Sequence, residues 1–505
     1  MSTSEVSALN RLSASFIPPM VIDRKCETPL YRQISVWFQR AIIDGQLQPG
    51  QRVPSTRALA KALKISRIPV LSAYELLIVE GYFEPFRGAG TCVAQSIPDA
   101  LYRSEPDILP DTIATAPESK ARRPISRRAT RLLGPAQSWL EVCRGCTDLA
   151  HFPIGIWSKL ISRHAGKLSP YGMGYGQPMG YEPFREAVAE YLGAFRAVKC
   201  EPDQILVTTG AQQALQLSAL VLLDAQDKTW IEDPAYPATH QALKAAGAQL
   251  VAVPVDKQGL SVECGIQMAE DARATFVTPS HQFPMGVTMS AKRRIELLNW
   301  ASRNGAWIVE DDYDSEFRFN GNPIASLQGL DRDHRVIYVG TLSKVMFPAL
   351  RLGFAVLPRD LIPGYLNIRN AADTYSSSVL SQMAMTDFIR EGHFSRHIKR
   401  MRAVYMERRN ALTLAINSQG DGLLEAVGDE AGQYLLALLP PGIDDTEVAN
   451  ELPQMGIKVN ALSRCYATPP ERGGIIIGYA NVAARDIAPA VDTLKRIVAA
   501  HTARH

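Results

Sequence analysis

Apolar residues recur at two different spacings along the chain, and the change in spacing separates two kinds of structure. Between residues 24 and 93 they recur every three or four positions, which predicts amphipathic helices. From about residue 141, short apolar runs such as QILVTTG, AWIVEDDY and VIYVGTLSK alternate with longer amphipathic runs such as AQQALQLSALVLL. This alternation predicts an α/β fold with a mostly parallel sheet.

A segment of different composition separates the two regions. Residues 94–140 are rich in Pro, Ser and basic residues, as in SIPDALYRSEPDILPD and SKARRPISRR, which is typical of a linker. The 505 residues are therefore predicted to form a front domain at 24–93, a linker at 94–140 and a large domain at 141–505.

The front domain has the pattern of three helices followed by a hairpin. The first helix has an apolar face made of Leu30, Ile34, Trp37, Phe38, Ala41 and Ile42. A short helix follows Ser55 as N-cap, and a longer one runs from Ser66 as N-cap to Gly81. The stretch FEPFRGAGTCVA then predicts two short strands around a Gly-Ala-Gly turn at 88–90.

Such parts make a winged helix-turn-helix, whose second helix presents its N-terminal residues to the major groove of DNA. Side chains and backbone N–H groups at helix starts meet phosphates, and a wing reaches a groove or the backbone. The candidate DNA contacts are therefore Ser55, Arg57, Ser66 and Arg67 at helix starts and Arg87 in the wing. On these residues alone, a small helical domain with solvated arginines is the alternative.

The front domain closely resembles the GntR-type winged-helix family, through the pieces G-x-L-x-P-G, P-S-x-R-x-L-A, S-R and the wing G-x-G-T. The resemblance implies a double-stranded DNA operator as partner. One departure follows Ser-Arg, where the family usually has Asn-Thr-Val and this chain has Ile68-Pro69-Val70. Because proline has no N–H, Pro69 removes the donor that a Ser66 cap would most naturally bind.

Four loops at predicted strand ends of the large domain carry polar groups suited to a phosphorylated pyridine cofactor. The turn at Gly210 opens a helix whose first N–H groups and dipole favour a phosphate. In the stretch AWIVEDDYDSEF, a run of acidic residues ends a predicted buried strand, and one of their carboxylates could hold the protonated ring nitrogen of pyridoxal phosphate. Lys344 follows the strand VIYVGT, where partial burial and nearby positive charge keep an amine nucleophilic.

The fourth loop, EDPAYP, offers Tyr236 as an aromatic ring that stacks on a pyridine. Each loop also has a plainer interpretation when taken alone. The turn is then an ordinary strand-to-helix connection, the acids are a solvated turn, the lysine is a loop lysine and the tyrosine is a core residue.

Taken in order, the loops resemble the fold-type-I aminotransferase family over about residues 145–500. The resemblance implies a large PLP-dependent transferase domain with a mostly parallel central sheet and a smaller C-terminal α+β part. It implies Lys344 as the Schiff-base lysine, Asp311 as the partner of the pyridine nitrogen and Tyr313 as the partner of the ring oxygen. Tyr236 becomes the stacking ring, and the phosphate site comprises Gly210, Ala211, Gln212, Thr341 and Arg351.

The stretch YGQPMGYEPFREAVAEYL also matches that family. The family's tyrosine that corresponds to Tyr175 reaches the phosphate of the neighbouring subunit, which implies a homodimer. Where many aminotransferases have Asn-Pro-Thr-Gly, this chain has TPSHQFPMG, so the ring-oxygen contact of the Asn is expected to fall to His281 or Gln282. Arg472 is a candidate to bind a ligand carboxylate, with a surface arginine as the alternative.

Composition bears on partners and compartment. The first 130 residues contain 17 basic and 12 acidic residues, whereas the whole chain contains 54 and 51, so the positive excess lies in the front domain. Seven cysteines, an odd and sparse number, indicate a reducing compartment such as the cytoplasm. No stretch approaches the roughly 18 apolar residues of a membrane span. The lone C-x-x-C of Cys143 and Cys146 lacks a second ligand pair, so no metal site is predicted.

A GntR-like front joined to an aminotransferase-like body is the arrangement of MocR-type regulators, and P-S-H-Q-F-P is associated with that branch. The resemblance implies a DNA-binding transcription regulator that holds pyridoxal phosphate on Lys344 and senses an amino compound. Two alternatives remain open on the sequence. One is an active aminotransferase with an accessory DNA-binding domain, and the other is a regulator that senses pyridoxal phosphate itself without chemistry.

Overall fold

A computed structural model describes residues 20, 22–24, 26, 28–85, 90–95, 126, 147–319, 325–373, 378–418, 422–428 and 431–503. The chain divides into two compact units, Met1–Arg122 and Arg123–His505, and the division falls within residues 94–140. Each unit has a hydrophobic core of its own. Among the described residues, no helix is long and apolar enough to cross a membrane.

The front unit consists of three helices and a hairpin. The helices are α1 (Leu30–Ile43), α2 (Thr56–Ala62) and α3 (Arg67–Val79), and the antiparallel strands are β1 (Phe83–Pro85) and β2 (Thr91–Val93). On the predicted apolar face of α1, four side chains are buried: Ile34, Phe38, Ala41 and Ile42. The elements of the predicted winged helix-turn-helix are thereby confirmed. The wing turn at 86–89, with Arg87, lies outside the described residues.

The two serines that precede α2 and α3 differ in what they bind. Ser55 Oγ accepts a hydrogen bond from the backbone N–H of Ala58 at 3.2 Å, so it caps α2 as predicted. Ser66 makes no side-chain cap bond to α3. Pro69 occupies the third position of α3, where the N–H that a cap accepts from is normally found.

Replacing Ser55 with Ala is expected to lower the stability of α2 by about 1 kcal/mol, because an orphan helix donor loses its acceptor. Ser66→Ala is the matched control and should leave α3 nearly unchanged. Amide hydrogen exchange across α2 and α3 in the full chain measures both effects. Equal losses of protection in the two variants would contradict this difference.

The large unit is built on an eight-stranded sheet. Its strands are β3 (Ile205–Thr208), β4 (Lys228–Asp233), β5 (Gln249–Asp256), β6 (Gly259–Leu260), β7 (Ala274–Val277), β8 (Trp307–Asp312), β9 (Val336–Thr341) and β10 (Gly353–Val356). Their spatial order is β3-β10-β9-β8-β7-β4-β5-β6. β5, β4, β7, β8 and β9 are parallel, whereas β10 and β6 are antiparallel to their neighbours. The predicted mostly parallel sheet is confirmed.

The sheet is buried on both faces, as its strings of consecutive apolar residues require. Ile205 and Val207 of β3 pack into one apolar cluster, and the intervening Leu206 packs into another. The helices of this part of the large unit are α4 (Ile154–Ala165), α5 (Pro170–Met173), α6 (Glu182–Arg196), α7 (Ala211–Leu222), α8 (Pro237–Ala246), α9 (Val262–Ala269), α10 (Ala291–Asn304), α11 (Leu327–Leu330), α12 (Ile362–Ala372), α13 (Val379–Arg390) and α14 (His393–Asn417).

The C-terminal part is a smaller α+β layer, as the resemblance implied. Its four-stranded antiparallel sheet has the order β11 (Glu425–Val427), β12 (Tyr434–Leu438), β14 (Gly474–Gly478) and β13 (Asn460–Ala461). Two helices accompany it, α15 (Asp445–Glu451) and α16 (Ala484–Thr502).

The direction of the strands determines where the candidate residues lie. β4, β8 and β9 are parallel, and β3 has the same direction because β10 is antiparallel to both β3 and β9. The loops that follow these four strands therefore leave the same edge of the sheet. Ligands of open α/β sheets bind beyond that carboxyl edge.

Candidate functional site

A cavity of about 200 Å³ lies at this edge of the sheet. It is lined by nine of the residues predicted from the sequence: Gly210, Ala211, Gln212, Tyr236, Asp311, Tyr313, Thr341, Lys344 and Arg351. It is also lined by nine that were not predicted: Thr147, Leu215, Thr278, Phe283, Asp314, Ser343, Pro348, Gln433 and Tyr434.

One end of the cavity is suited to an anion. Gly210 precedes α7 with φ 120°, a conformation that L side chains rarely adopt. A Cβ at Gly210 would lie 3.7 Å from a guanidinium nitrogen of Arg351, so that guanidinium sits beside the start of the helix. The positive end of a helix dipole and a planar cation both favour a phosphate or carboxylate.

The opposite charge is provided by Asp311, near the end of β8. Its Oδ1 is buried and has no hydrogen-bond partner among the described residues. Burial, followed by the negative charges of Asp312, Asp314 and Glu232, raises the pKa of Asp311 to about 7, while Lys344 opposes the shift. A cationic group that enters the cavity would favour the ionised carboxylate.

Lys344 lies three residues after the end of β9, on a loop whose backbone is held from two sides. Its carbonyl oxygen accepts hydrogen bonds from Gln433 Nε2 at 2.9 Å and from Thr147 Oγ1 at 3.4 Å. The side chain is half-buried and lines the cavity. A partly desolvated lysine amine in such a place is suited to attack a carbonyl carbon.

The Tyr313 hydroxyl joins the cavity to a buried polar network behind it. It donates to the backbone carbonyl of His281 at 3.0 Å and lies 3.1 Å from His281 Nδ1 and 3.0 Å from the Tyr434 hydroxyl. The same Nδ1 lies 3.0 Å from each carboxylate oxygen of Asp314. Burial, followed by the charge of Asp314, raises the pKa of Tyr313 well above its ordinary value. Tyr313 therefore carries its proton at neutral pH.

Neither His281 nor Gln282 lines the cavity, although the sequence put one of them on the ring oxygen. His281 is 2% exposed and contacts Tyr313 instead. Gln282 is fully buried, and its Nε2 donates to the carbonyls of Pro234 and Phe283, both at 2.7 Å. The Gln282 side chain thus links the loop at Pro234 to its own loop. Because its Nε2 already donates to two carbonyls of the protein, it does not face the cavity.

Two further predicted residues lie away from the cavity. Tyr175 is 79% exposed and is not among the residues that line it. Arg472 pairs with Glu425 at 2.6 Å and donates to the carbonyl of Leu439 at 2.5 Å. The Arg472 guanidinium is therefore bound to groups of the small sheet and its neighbouring loop, and Arg472 does not line the cavity.

The described DNA-contact candidates lie together on the surface of the front unit. Ser55, Arg57, Ser66 and Arg67 are all exposed. Arg67 Nε donates to Thr56 Oγ1 at 3.1 Å, which links the starts of α3 and α2. The second helix of the motif thus begins beside the first residue of the helix that precedes it.

Three of the cavity residues that were not predicted have polar side chains and come from two different parts of the chain. Asp314 stands in the acidic run after β8, so the sequence contained a signal for it. Gln433 and Tyr434 come from the start of β12 in the small sheet, where no motif marks them. Only the packing of the small sheet against the large one brings these two to the site.

Two family models match separate parts of the chain. The model described as aminotransferase class I and II matches residues 164–494. The model described as bacterial regulatory proteins, gntR family, matches residues 30–93. The first contains all of the residues that line the cavity except Thr147, and the second contains the three helices and the hairpin of the front unit.

Two solved structures share the fold of the large unit. Kynurenine aminotransferase of Pyrococcus horikoshii, solved in complex with PMP, is 27% identical with a TM-score of 0.66, and the match covers 71% of this chain and 90% of that one. LysN, the alpha-aminoadipate aminotransferase of Thermus thermophilus, complexed with N-(5'-phosphopyridoxyl)-L-leucine, is 26% identical with a TM-score of 0.69, covering 75% and 98%.

Similarity to regulators extends over nearly the whole chain. The probable rhizopine catabolism regulatory protein MocR of Rhizobium meliloti is 35% identical, over 94% of this chain and 95% of that protein. The pyridoxine biosynthesis transcriptional regulator PdxR of Corynebacterium glutamicum is 28% identical, over 92% and 94%. The chain therefore belongs to the MocR-type family of transcription regulators, in which a GntR-type winged-helix domain is joined to an aminotransferase class I and II domain.

Proposed function

We propose that this protein is a DNA-binding transcription regulator whose large domain binds pyridoxal phosphate through Lys344 and senses an amino compound or pyridoxal phosphate itself. One observation carries the proposal: Lys344 and Asp311 line the same cavity, in a chain that also contains a winged helix-turn-helix. Bound pyridoxal phosphate supplies an aldehyde that condenses reversibly with primary amines and a ring that withdraws electrons. DNA as partner places the site of action in the cytoplasm.

The chemistry of the cavity fits this cofactor. The partnerless Oδ1 of Asp311 suits the protonated pyridine nitrogen, since it supplies an acceptor and a negative charge. The start of α7 at Gly210, Ala211 and Gln212, together with Thr341 and Arg351, suits the phosphate. Lys344 provides the amine that holds the aldehyde carbon.

The remaining candidate residues are assigned to the ring of the cofactor or are left without a role in ligand binding. Tyr313 keeps its single hydroxyl proton, which the backbone carbonyl of His281 accepts in this structure. To donate to a ring oxygen, the hydroxyl would turn away from that carbonyl, and His281 Nδ1 beside it is proposed to position it. Tyr236 packs edge-on against Phe283, with ring centroids 5.5 Å apart, which fixes it as a stacking surface. Arg472 is given no part in ligand binding, because Glu425 occupies it.

DNA binding is assigned to the exposed basic surface at the starts of α2 and α3. Arg57 and Arg67 suit phosphate contacts, as do the hydroxyl of Ser55 and that of Ser66, which makes no cap bond. Arg87 in the wing is proposed as a further contact. An amino compound changes operator affinity to the degree that it binds two conformations of the protein differently.

Incubation of the cofactor-loaded full chain with amino donors and a keto acid tests regulation against catalysis. Amino acids, ω-amino acids and amino sugars, each with pyruvate or 2-oxoglutarate, are suitable donors and acceptors. Product is expected not to exceed the amount of protein. Sustained turnover at about 1 s⁻¹ or faster, an ordinary enzyme rate, would favour an active aminotransferase.

A homodimer is the second part of the proposal, because Tyr175 is exposed in its own subunit and is assigned to the phosphate of the neighbouring one. Tyr175→Ala and Lys344→Ala should each impair cofactor binding. A mixture of the two variants, unfolded and refolded together, should regain up to one intact site per mixed dimer. Absorbance of the bound cofactor measures the recovery; none in a verified mixed dimer would refute the shared site.

A further inference from the structure

The helix that enters DNA in this motif, α3, carries apolar side chains on its exposed face as well as on its buried one. Val70, Ala73, Tyr74 and Leu77 are buried in the front-unit core. On the opposite side, Ile68 is 74% exposed and Leu71 is 42% exposed. Because these two are three positions apart, they lie next to each other on the first half of the helix.

Charge around these two residues indicates what covers them. No acidic residue occurs between residues 45 and 74, whereas Arg52, Arg57, Lys61, Lys64 and Arg67 all lie there. The last four of these are exposed. The basic residues lie on the side of the patch at the start of the helix, and the acidic Glu75 is exposed one turn beyond Leu71. An apolar patch with basic residues at the helix start matches the major groove, whose floor offers base edges and whose rims are phosphates.

We propose that Ile68 and Leu71 are specificity-determining residues that contact thymine methyl groups in the major groove. This inference rests on the proposed DNA-binding function. Thymine is the base that presents a methyl group there, and apolar side chains recognise it by burying it. The operator half-site should accordingly have A·T pairs with the thymine facing the start of α3.

The proline that follows Ile68 strengthens the arrangement. Pro69 has a fixed φ near that of a helix and no N–H, so the first turn of α3 is held rigid. Ile68 is therefore presented with little conformational freedom to lose on binding. A polar side chain at the same place would instead select a base by hydrogen bonding, which Ile68 cannot do.

Replacing thymine by deoxyuridine provides a test that removes only the methyl group. A duplex is first selected from a random library by the full chain loaded with pyridoxal phosphate, and each thymine in it is then replaced singly. At one or two positions the affinity of the wild type should fall by about fourfold, the equivalent of one buried methyl group. Ile68→Ala or Leu71→Ala should bind the thymine duplex more weakly and show no further loss with deoxyuridine at the matching position.

Val79→Ala is the matched control, because Val79 is 85% exposed at the far end of the same helix and should retain the wild-type response. Arg67→Ala should weaken both duplexes alike and lower the salt dependence. A deoxyuridine effect that persists in both Ile68→Ala and Leu71→Ala, or no effect at any thymine, would overturn the inference alone. So would an altered oligomeric state of Ile68→Ala with unchanged DNA affinity, since protein would then cover the patch. Failure to enrich any duplex would overturn the DNA-binding function as well.

Discussion

Lys344→Ala is expected to abolish the visible absorbance that pyridoxal phosphate acquires when it is bound to a protein lysine. Lys344 lies just beyond β9 and lines the cavity together with Asp311, so it is the amine placed to condense with the aldehyde. Spectra of the purified variant and wild type after loading with the cofactor and removal of excess give the answer.

Two controls separate the role of the amine from that of positive charge. Lys344→Arg keeps the charge but has no nucleophilic amine, so it should also lose the absorbance. Lys244→Ala removes an exposed lysine in the last turn of α8 and should keep it. An unchanged spectrum in Lys344→Ala would show that another lysine holds the cofactor.

Asp311→Asn is expected to lower the affinity for pyridoxal phosphate by about tenfold to hundredfold. The substitution preserves shape but replaces a charged hydrogen bond, whose loss typically costs about 1.5–3 kcal/mol, by a neutral one. Equilibrium binding of the cofactor to the full chain measures the loss. Asp271→Asn, at an exposed residue far along the chain from β8, is the control. Equal affinities of wild type and Asp311→Asn would remove Asp311 from the site.

The same substitution should change how the stability of the cofactor-free protein depends on pH. The folded-state pKa of Asp311 is about 7, above its ordinary 3.8, so the folded protein binds this proton more tightly than the unfolded chain. The contribution is fully present below about pH 4 and is lost as pH rises through about 7. As the pH rises from about 5 to about 8, the free energy of unfolding should therefore fall less for Asp311→Asn than for the wild type. Thermal unfolding at a series of pH values measures both. A wild-type dependence no steeper than that of the variant would contradict the raised pKa.

Much of the site could be predicted because its residues follow strands. Gly210, Tyr236, Asp311 and Lys344 each come just after or at the end of a strand that periodicity identifies. Parallel strands bring their carboxyl ends to one edge, so order along the chain becomes proximity in space. The same reasoning gave the mostly parallel sheet of the large unit.

What could not be predicted depends on side-chain packing between separate layers. Tyr434 comes from the small sheet, and its hydrogen bond to Tyr313 joins residues 121 positions apart. His281 or Gln282 was expected at the ring oxygen, but neither lines the cavity, and His281 lies against Asp314 and the Tyr313 hydroxyl. Arg472 was a candidate for a ligand carboxylate because of its place near the C-terminus, with a surface arginine as the alternative. Its pairing with Glu425 depends on how the small sheet packs, which no local pattern reveals.

In the front domain, the sequence also contained the reason why one cap fails. Pro69 at the third position of α3 predicts that Ser66 lacks its usual donor, and the structure has no cap bond there. The exposure of Ile68 could not be predicted from the sequence, because an apolar residue in a helix is more often buried. Its position on the outer face follows only from the packing of α3 on α1.

The proposed regulation depends on one link, which is that a ligand bound at Lys344 changes operator binding by the winged helix. Footprinting on the DNA that flanks the protein's own gene, at several salt concentrations, tests this link. Protein with and without pyridoxal phosphate is compared, and amines are added to the loaded form, with Lys344→Ala in parallel. We expect protection that changes with the cofactor or an amine in the wild type and stays constant in Lys344→Ala. Protection that responds identically in both proteins, or no protection under any condition, would contradict the proposal.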